Sequence, residues 1–360
     1  MKLVAPISAP EDVPVLARAG ADEFYCGLVP REWQMRFGRS TLNRRMTGNL
    51  HTFGELELAV ANAHALGKSI SVACNAQSYP RDRWTDLLTT LDGIAAAGAD
   101  ALIIGDFALL ATLAGRRLPL RIHLSSVASC HNAETAALAV DLGAVRVILP
   151  RHVTLAEMET MCGELPGLEI ESFVLNDGCV FEEGSCHTLH LPGPLGGPIC
   201  LDRYRYEYRR GDGAALAESE AGRLRANDEA WDQWLWHTFS CGFTVTPEGL
   251  PYGPCGLCAI PRLAAAGVHA VKIAGRESPL ERRLRSVEMV RAVLDRDGGE
   301  AQVAAFAQGL RKRPDLCQSG FMCYYREVLW PAGGRARSRA GQCSRITATV
   351  QPTAKTGMGT

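Results

Sequence analysis

The feature that most constrains the fold of this chain is a repeat of alternating β-rich and helix-period segments. Seven times before residue 176, a short apolar run is followed by a segment with apolar residues at i, i+3 and i+4 and then by a glycine-containing turn. An eighth run, HAVKIAG, lies at 269–275 and precedes another helical segment. Strands that alternate with helices form a parallel sheet, and eight such units predict a (β/α)8 barrel. An open, doubly wound sheet is the alternative, because sequence does not show whether a sheet closes.

The spacing of the predicted strands also predicts the domain organisation. These strands lie at 2–7, 22–27, 69–75, 101–105, 120–126, 146–150, 168–175 and 269–275. The insertion between the last two, 176–265, is far longer than an ordinary βα loop. In a barrel this loop opens on the C-terminal face, where active sites form. We therefore predict a barrel over 1–298 that includes this cysteine-rich insertion, a C-terminal extension over 299–345 and a disordered tail over 346–360.

Composition excludes several classes of protein. With 47% hydrophobic and 21% charged residues, the chain is neither disordered nor collagenous nor a coiled coil. A net charge of −1 gives no overall attraction to phosphates, which disfavours a nucleic-acid partner but leaves room for a local basic patch. No apolar run approaches the roughly 20 residues of a membrane span, and no signal-peptide core is present at the N-terminus. We expect a cytoplasmic protein without a membrane span.

Thirteen cysteines are an unusual number for such a protein. An odd count in a reducing compartment fits a disulfide framework poorly. Six of the thiols fall in the insertion, four of them before its CxxC motif, and glycines such as Gly184 would let the backbone wrap around an inorganic group. Four thiolates suit either a structural zinc or an iron–sulfur cluster, and their irregular spacing favours the cluster; four separately packed thiols are the alternative. These four residues are Cys179, Cys186, Cys200 and Cys241.

A second group of cysteines lies further along the chain. Cys255 and Cys258 form a CxxC motif, which is typical of half a metal site or of a redox pair and also occurs by coincidence. Cys317 and Cys323 are the candidate partners for a second metal site.

Four segments carry a resemblance to a known family. APISAPEDVPVLARAGADEFYCGL is similar to a "PAGxxxxLxAAxxxGADAVYxG" motif, and HLSSVASCHNAETAALAVDLGAVRVILPR to "HvSxQxSxTNxEA…ARVVLPR". ESFVLNDGCVFEEGSC is similar to "ExFxxGxxCxxxxGxC", and GVHAVKIAGRES to "xIxSvKIEGR". The motifs occur in this order over nearly all of 1–290. On them the chain resembles the collagenase-like peptidase family, class U, number thirty-two, and most closely its compact ubiquinone-biosynthesis-type subunits. It departs from the motifs at Val127, where the family has Gln, and at Ala274, where the family has an acidic residue.

The resemblance implies an oxygen-independent hydroxylase. It implies prephenate as the hydroxyl donor and a 4Fe–4S cluster as the cofactor. The ligands that it implies for the cluster are Cys179, Cys186, Cys200 and Cys241. We expect a small or lipophilic aromatic substrate and a paralogous partner subunit in a heterodimer. The alternatives are a hydroxylase of an RNA base and a non-catalytic subunit that carries a cluster. A protease is less favoured, because the chain has neither HExxH nor GxSxG.

Polar residues at the predicted strand ends are the remaining site candidates, because the C-terminal ends of barrel strands line the active site. Lys272 and Arg276 would bind the carboxylate of a co-substrate, with Arg151 as a bidentate clamp. Glu171 would act as a general acid or base, and His123 would line the same site. The alternative for each is a salt bridge inside the barrel. Asn75, Asp106 and Ser125 lie at equivalent positions.

Overall fold

The computed structural model describes residues 1–38, 42–45, 47–116, 118–179, 181–186, 204–239, 254–320, 322–329 and 346–352. Ten strands are found in this part of the chain: β1 Lys2–Pro6, β2 Glu23–Gly27, β3 Ser69–Cys74, β4 Ala101–Ile104, β5 Arg121–Leu124, β6 Ala144–Ile148, β7 Glu169–Leu175, β8 Tyr204–Arg210, β9 Ala270–Ile273 and β10 Ile346–Pro352. The helices are α1 Asp12–Arg18, α2 Arg31–Phe37, α3 Phe53–His64, α4 Trp84–Ala96, α5 Phe107–Ala114, α6 Ala133–Asp141, α7 Leu155–Glu164, α8 Glu218–Phe239, α9 Ile260–Ala265, α10 Leu280–Leu294, α11 Glu300–Arg311 and α12 Pro314–Ser319.

Eight of the strands close into a parallel barrel. The order is β1-β2-β3-β4-β5-β6-β7-β9, and β9 closes the ring by pairing with both β7 and β1. Helices follow the barrel strands in sequence, so the predicted (β/α)8 fold is confirmed and the open sheet is wrong. Each predicted strand is present with small differences at its ends. The fifth strand stops at Leu124 because a 3-10 turn, Ser126–Ala128, follows it. The side chain of Ser125 caps this turn by accepting a hydrogen bond from the backbone N–H of Val127.

The core has two layers, because both faces of a parallel barrel sheet are buried. The larger layer lies between the sheet and the surrounding helices and includes Leu3 and Phe24. The smaller layer fills the inside of the barrel and includes Val4, Tyr25 and Phe173. Alternation along each strand decides the layer: Phe24 points outwards to the helices and Tyr25 points inwards.

Two helix starts show how local sequence fixes this arrangement. The side chain of Thr52 accepts a hydrogen bond from the backbone N–H of Glu55. The carboxylate of Glu55 in turn accepts one from the backbone N–H of Thr52. Thr154 and Glu157 form the same capping box at the start of α7. Each box satisfies backbone donors that the first helical turn leaves open.

Outside the barrel, β8 pairs with β10 in an antiparallel ribbon. The tail predicted to be disordered thus contributes a strand over Ile346–Pro352, since its alternating ITATV run pairs with the YRYEYRR run of β8. The predicted division of the chain into domains stays a prediction. No helix in the described ranges is long and apolar enough to cross a membrane.

Candidate active site

A buried ion-pair network occupies the inside of the barrel. Arg146 of β6 donates to Glu23 of β2 at 2.6 Å, to Glu169 at 2.7 Å and to Glu171 at 2.9 Å. Lys272 of β9 donates to the other carboxylate oxygen of Glu171 at 2.6 Å. Arg146 and Glu171 are each 1% exposed, so every charge here depends on its partners rather than on water.

The environment of this network shifts its protonation equilibria. Burial acts to raise the pKa of Glu23, but the hydrogen bonds and charges of Arg146 and Lys2 outweigh it and hold that pKa at about 2. Burial lowers the pKa of Lys272, and the carboxylate of Glu171 opposes this effect. Two of the predicted catalytic residues, Glu171 and Lys272, therefore form an interior ion pair, which is the alternative considered for them. Their catalytic roles stay predictions.

His123 lies beside this network and is 3% exposed. Its Nε2 has no hydrogen-bond partner among the residues that the structure describes. Burial is the main cause that lowers the pKa of His123, and the cations Arg146 and Arg121 lower it further. The ring is therefore neutral at physiological pH and offers one unused nitrogen to the inside of the barrel.

Tyr25 connects the interior network to the mouth of the barrel. The ammonium group of Lys272 lies 3.9 Å from the centre of the Tyr25 ring, and the guanidinium of Arg276 lies 5.9 Å from it. The Tyr25 hydroxyl donates to the carbonyl of Ile273 at 3.0 Å. Two buried cations thus share one aromatic ring.

Arg276 is a buried cation surrounded by amides. It is 5% exposed and donates to the side-chain oxygens of Asn49 at 3.2 Å and Asn43 at 3.4 Å. Within the described part of the chain no carboxylate forms an ion pair with it. Burial lowers the pKa of Arg276, and the nearby Arg45 adds to the effect. A guanidinium in this setting is suited to receive an anion.

Gly27 creates the space that Arg276 occupies. A Cβ atom on Gly27 would lie 1.9 Å from Nη1 of Arg276 and 2.0 Å from Oδ1 of Asn49. Any other residue at the end of β2 would displace both side chains. The glycine in the FYCG segment is therefore required by a close approach rather than by an unusual backbone conformation.

Arg151 is engaged by the loop that follows β7. Its guanidinium lies 3.9 Å from the centre of the Phe173 ring, its Nε donates to the carbonyl of Asp177 at 2.6 Å, and it pairs with the carboxylate of Glu183. The predicted carboxylate clamp thus takes part in an internal ion pair, the alternative given for it, and its role toward a co-substrate stays a prediction. In this arrangement Arg151 positions the segment that carries the first two cysteines of the insertion.

That segment, Asn176–Cys186 without residue 180, is called the cysteine loop below. Burial raises the pKa of the Cys179 thiol to about 11; Glu183 and Cys186 contribute to the rise and Arg151 opposes it. The structure thus brings Cys179 and Cys186 close enough to influence each other at the mouth. Cys200 and Cys241, the other two predicted ligands, lie outside the described residues.

Gly184 lets the cysteine loop pack against the turn after β5. A Cβ atom there would lie 2.5 Å from the carbonyl oxygen of Val127 and 2.1 Å from Oγ of Ser129. Ser129 also donates to Glu182 at 3.0 Å. The backbone freedom expected of Gly184 is thus less important than its lack of a side chain. Val127, at the position of the family's Gln, is buried under this contact.

A segment between β2 and α3 also lies at the mouth. Arg44 donates to Gln77 at 2.9 Å and to the carbonyl of Cys186 at 3.3 Å. Arg45 pairs with Asp177 and, at 3.4 Å, with Glu277. These contacts join the segment to the cysteine loop.

Asn75, Asp106 and Ser125 have structural partners. Asn75 donates to Ser125 at 3.1 Å and accepts from the backbone of Arg44. Asp106 caps α5 and accepts from the backbone N–H of Tyr79 at 3.0 Å.

Several site residues were missed by the sequence analysis. Tyr25, Asn43, Asn49 and Arg45 lie at the mouth, and Arg146 is the centre of the interior network. The signal that could have indicated Arg146 is the alternation of the AVRVI strand, which places it on the same face as Ile148 inside the barrel.

The fold and the site define a (β/α)8 barrel with a cysteine-bearing loop, the buried Arg276 and several partly buried arginines at its C-terminal mouth. The model of Peptidase family U32 matches residues 8–330. The chain belongs to this family, which confirms the resemblance.

The curated relatives are named for a reaction on RNA. "tRNA hydroxylation protein P" of Escherichia coli is 28% identical over 226 residues, which cover 62% of this chain and 46% of that protein. "tRNA hydroxylation protein P1" of Bacillus subtilis is 25% identical over 300 residues, which cover 82% of this chain and 63% of that protein. The chain spans about half the length of most of the curated relatives it matches.

The solved structures that match this chain have low sequence identity and low TM-scores. The U32 peptidase Mk0906 is 18% identical, with a TM-score of 0.39, over 48% of this chain and 69% of that chain. CdNal from Clostridium difficile is 8% identical, with a TM-score of 0.43, over 87% of this chain and 79% of that chain.

The relatives correct two expectations. A small or lipophilic aromatic substrate is wrong as the main expectation, because the matched curated proteins are named for tRNA hydroxylation. The expectation that nucleic acid is an unlikely partner is wrong for the same reason. The expectation of a paralogous partner subunit came from the resemblance to the ubiquinone-type subunits. The matched relatives are named for tRNA hydroxylation and give no support to it. Net charge sums the whole chain and therefore does not decide whether a local surface binds a nucleic acid.

Proposed function

We propose that this chain hydroxylates a base of transfer RNA without O2. The observation that carries the proposal is its repeated similarity to tRNA hydroxylation proteins, which covers 58% of this chain for the Helicobacter pylori protein and 82% for the Bacillus subtilis one. Because those relatives are longer, the activity of the whole protein is part of the proposal.

The barrel mouth is the proposed entrance for the base. Enzymes that act on a base remove it from the stack, and RNA is read mainly through unpaired bases that stack on aromatic rings. Phe181 lies on the cysteine loop two residues after Cys179, and 49% of it is exposed. Its backbone carbonyl contacts His152, which fixes the loop at this point. We assign Phe181 as the ring on which the RNA stacks.

Arg276 is the proposed site for a carboxylate of the hydroxyl donor, with prephenate as the donor that the family resemblance implies. Its buried guanidinium has only amide partners, Asn43 and Asn49, among the described residues. An incoming carboxylate would replace these neutral acceptors with a charge-assisted hydrogen bond. Lys272 is committed to Glu171, so Arg276 is the better anion receptor of the two.

The proposed cofactor is a 4Fe–4S cluster on Cys179, Cys186, Cys200 and Cys241. The two described ligands fit it, since both are cysteines outside any disulfide and lie in one loop at the mouth. Bound there, the cluster supplies the one-electron chemistry that hydroxyl transfer without O2 requires. The chain's own groups position the loop: Arg151 pairs with Glu183, and Arg45 pairs with Asp177.

The test uses protein purified without air and tRNA from a host that lacks the corresponding gene. Prephenate and a soluble two-electron acceptor are added, because converting C–H to C–OH removes two electrons from the base, whereas loss of hydroxide and CO2 from prephenate takes up none. The digested nucleosides are analysed by mass spectrometry. We expect one nucleoside to gain a single oxygen, and the gain to require the donor but not O2. Arg276→Met should lower the yield at least tenfold, whereas Arg116→Met, which removes a surface arginine paired with Asp92, should not. The absence of any hydroxylated nucleoside with iron-loaded protein would overturn the proposal.

A further inference from the structure

We propose that Cys255, Cys258, Cys317 and Cys323 hold a second iron–sulfur cluster, separate from the one proposed on Cys179, Cys186, Cys200 and Cys241. All four line one pocket, which is partly open to solvent. Arg311 and Met322 line the same pocket.

Backbone contacts bring the four residues together from three separate segments. Cys255 lies beside the end of β7. It forms isolated β-bridges with Leu175 on one side and with Cys323 on the other. Its N–H donates to the carbonyl of Met322 at 2.5 Å, and its own carbonyl accepts from Tyr324 at 3.0 Å. The pairing of Cys255 with Cys323 is therefore fixed by the main chain and does not depend on the side chains.

The other two cysteines are held by short helical turns. Cys258 lies in the 3-10 turn Leu257–Ala259, and its sulfur faces the carbonyl of Ala304 in α11 at 3.7 Å. Cys317 lies in α12, and its carbonyl accepts from the N–H of Gly320 at 3.2 Å. The turn of the CxxC motif packs on Tyr325, because a Cβ atom on Gly256 would lie 2.8 Å from that ring.

The four thiols act on one another electrostatically. Burial raises the pKa of Cys258 to about 12, and Cys255 and Cys317 contribute to the rise. Burial raises the pKa of Cys317 to about 11, with Cys255 contributing and Arg311 opposing. The pKa of Cys323 is raised by burial and by all three of the other thiols. These mutual effects agree with the pocket lining: the four partly buried thiols lie close together, and the buried Arg311 lines the same pocket.

The spacing favours a cluster over a single ion. Zinc binds sulfur at about 2.3 Å, so two thiolates on one zinc lie within roughly 4.6 Å of each other. Among the described residues no three His, Cys, Asp or Glu side chains have the arrangement that a single metal ion requires. A four-iron cluster bonds each thiolate to a different iron, so its four thiolates lie further apart than those around one ion.

This cluster would join the helices after the barrel to the barrel mouth. Tyr324, next to Cys323, donates to the carbonyl of Asn176 at the start of the cysteine loop. Tyr325 donates to the carbonyl of Phe173 in β7 at 2.7 Å. The second site therefore lies on the segment that supports the cysteine loop.

Metal analysis of the full chain, purified and reconstituted without air, tests this inference. Iron, sulfide and zinc are measured for the unmodified chain, for a Cys255→Ser/Cys258→Ser variant, for a Cys179→Ser/Cys186→Ser/Cys200→Ser/Cys241→Ser variant and for a Cys162→Ser control. Cys162 is a partly buried free thiol outside both groups. We expect about eight irons per chain in the unmodified protein and the control, and about four in each of the other variants. Mössbauer spectra should show the remaining iron as a four-iron cluster.

The variant that lacks Cys179, Cys186, Cys200 and Cys241 keeps all four cysteines of the proposed second site. It therefore tests the inference even if the Cys255→Ser/Cys258→Ser variant does not fold. Fewer than about one iron per chain in the variant that keeps the second site would overturn the inference. One zinc per chain that disappears with Cys255 and Cys258 would also overturn it, as would a Cys255–Cys258 disulfide in the reconstituted protein. Catalytic activity is not part of the readout, so failure of the proposed tRNA reaction would leave this result unaffected.

Discussion

The ammonium group of Lys272 lies 3.9 Å from the centre of the Tyr25 ring, at the level where the charged interior of the barrel meets its mouth. The same ammonium group donates to Glu171 at 2.6 Å. Arg276 approaches the ring from the mouth, at 5.9 Å. The Tyr25 side chain thus contacts both the interior ion pair and the proposed anion site. Removing this ring should therefore affect both.

Removing the Tyr25 ring should destabilise the barrel more than removing its hydroxyl. Tyr25→Phe loses the hydrogen bond to Ile273 and should cost about 1 kcal/mol of unfolding free energy. Tyr25→Ala also leaves a cavity and removes the contacts with both cations, for a loss of about 3–5 kcal/mol. Urea unfolding followed by circular dichroism measures both. Equal losses in the two variants would show that the ring has no special role beside the cations.

Acid should weaken the barrel through Glu23. Its pKa is held at about 2 in the folded chain against an ordinary value of 4.5, so the folded state favours the charged carboxylate. The stabilisation is therefore complete above about pH 5 and is lost as the pH falls from 4.5 towards 2, with a total of about 3 kcal/mol. The measurement is the free energy of unfolding as a function of pH. Glu23→Gln should be less stable at pH 7 and show a flatter profile between pH 5 and 2; an unchanged slope would contradict the assignment.

The barrel could be predicted from sequence because its signals are local. Apolar periodicity marks the strands and helices, and turn glycines such as Gly98 and Gly143 have the positive φ values, 81° and 92°, that the pattern indicated. The strand 120–126 was predicted too long, because the 3-10 turn capped by Ser125 continues the same apolar run.

The site could be predicted only in part because its partners are distant in sequence. Cys179 and Cys186 directly follow a strand, so barrel geometry placed them at the mouth. Arg146 is paired with Glu23, 123 positions away, and no local pattern indicates such a pair. Asn43 and Asn49 lie in a segment without periodicity, and their contact with Arg276 depends on barrel closure.

Gly27→Ala should reproduce the effect of losing Arg276. A new Cβ atom would overlap with Nη1 of Arg276 and Oδ1 of Asn49, and main-chain pairing of β2 with β3 prevents the strand from moving away. We expect both Gly27→Ala and Arg276→Met to raise the KM for the hydroxyl donor at least tenfold, because each removes a charge-assisted contact with its carboxylate. Steady-state kinetics at saturating tRNA measures the effect.

A matched control for these two variants is Gly163→Ala in α7, where no atom lies within 4 Å of the added Cβ. This variant should keep the unmodified KM. If Arg276→Met lowers only kcat and leaves KM for the donor unchanged, the guanidinium does not bind the donor's carboxylate.

Phe181→Ala should weaken tRNA binding without changing donor binding. The exposed ring is assigned to stack on an unpaired base, and such a contact contributes about 1–3 kcal/mol, or roughly 5- to 150-fold in Kd. Phe181→Trp should retain the affinity, because it keeps an aromatic face at the same position. Filter binding with unmodified tRNA, at one stated salt concentration, measures the Kd, and Leu138→Ala serves as the control because it removes another exposed apolar side chain, 51% exposed, on α6. A tRNA affinity that falls equally in the Phe181→Ala and Leu138→Ala variants would refute the stacking role.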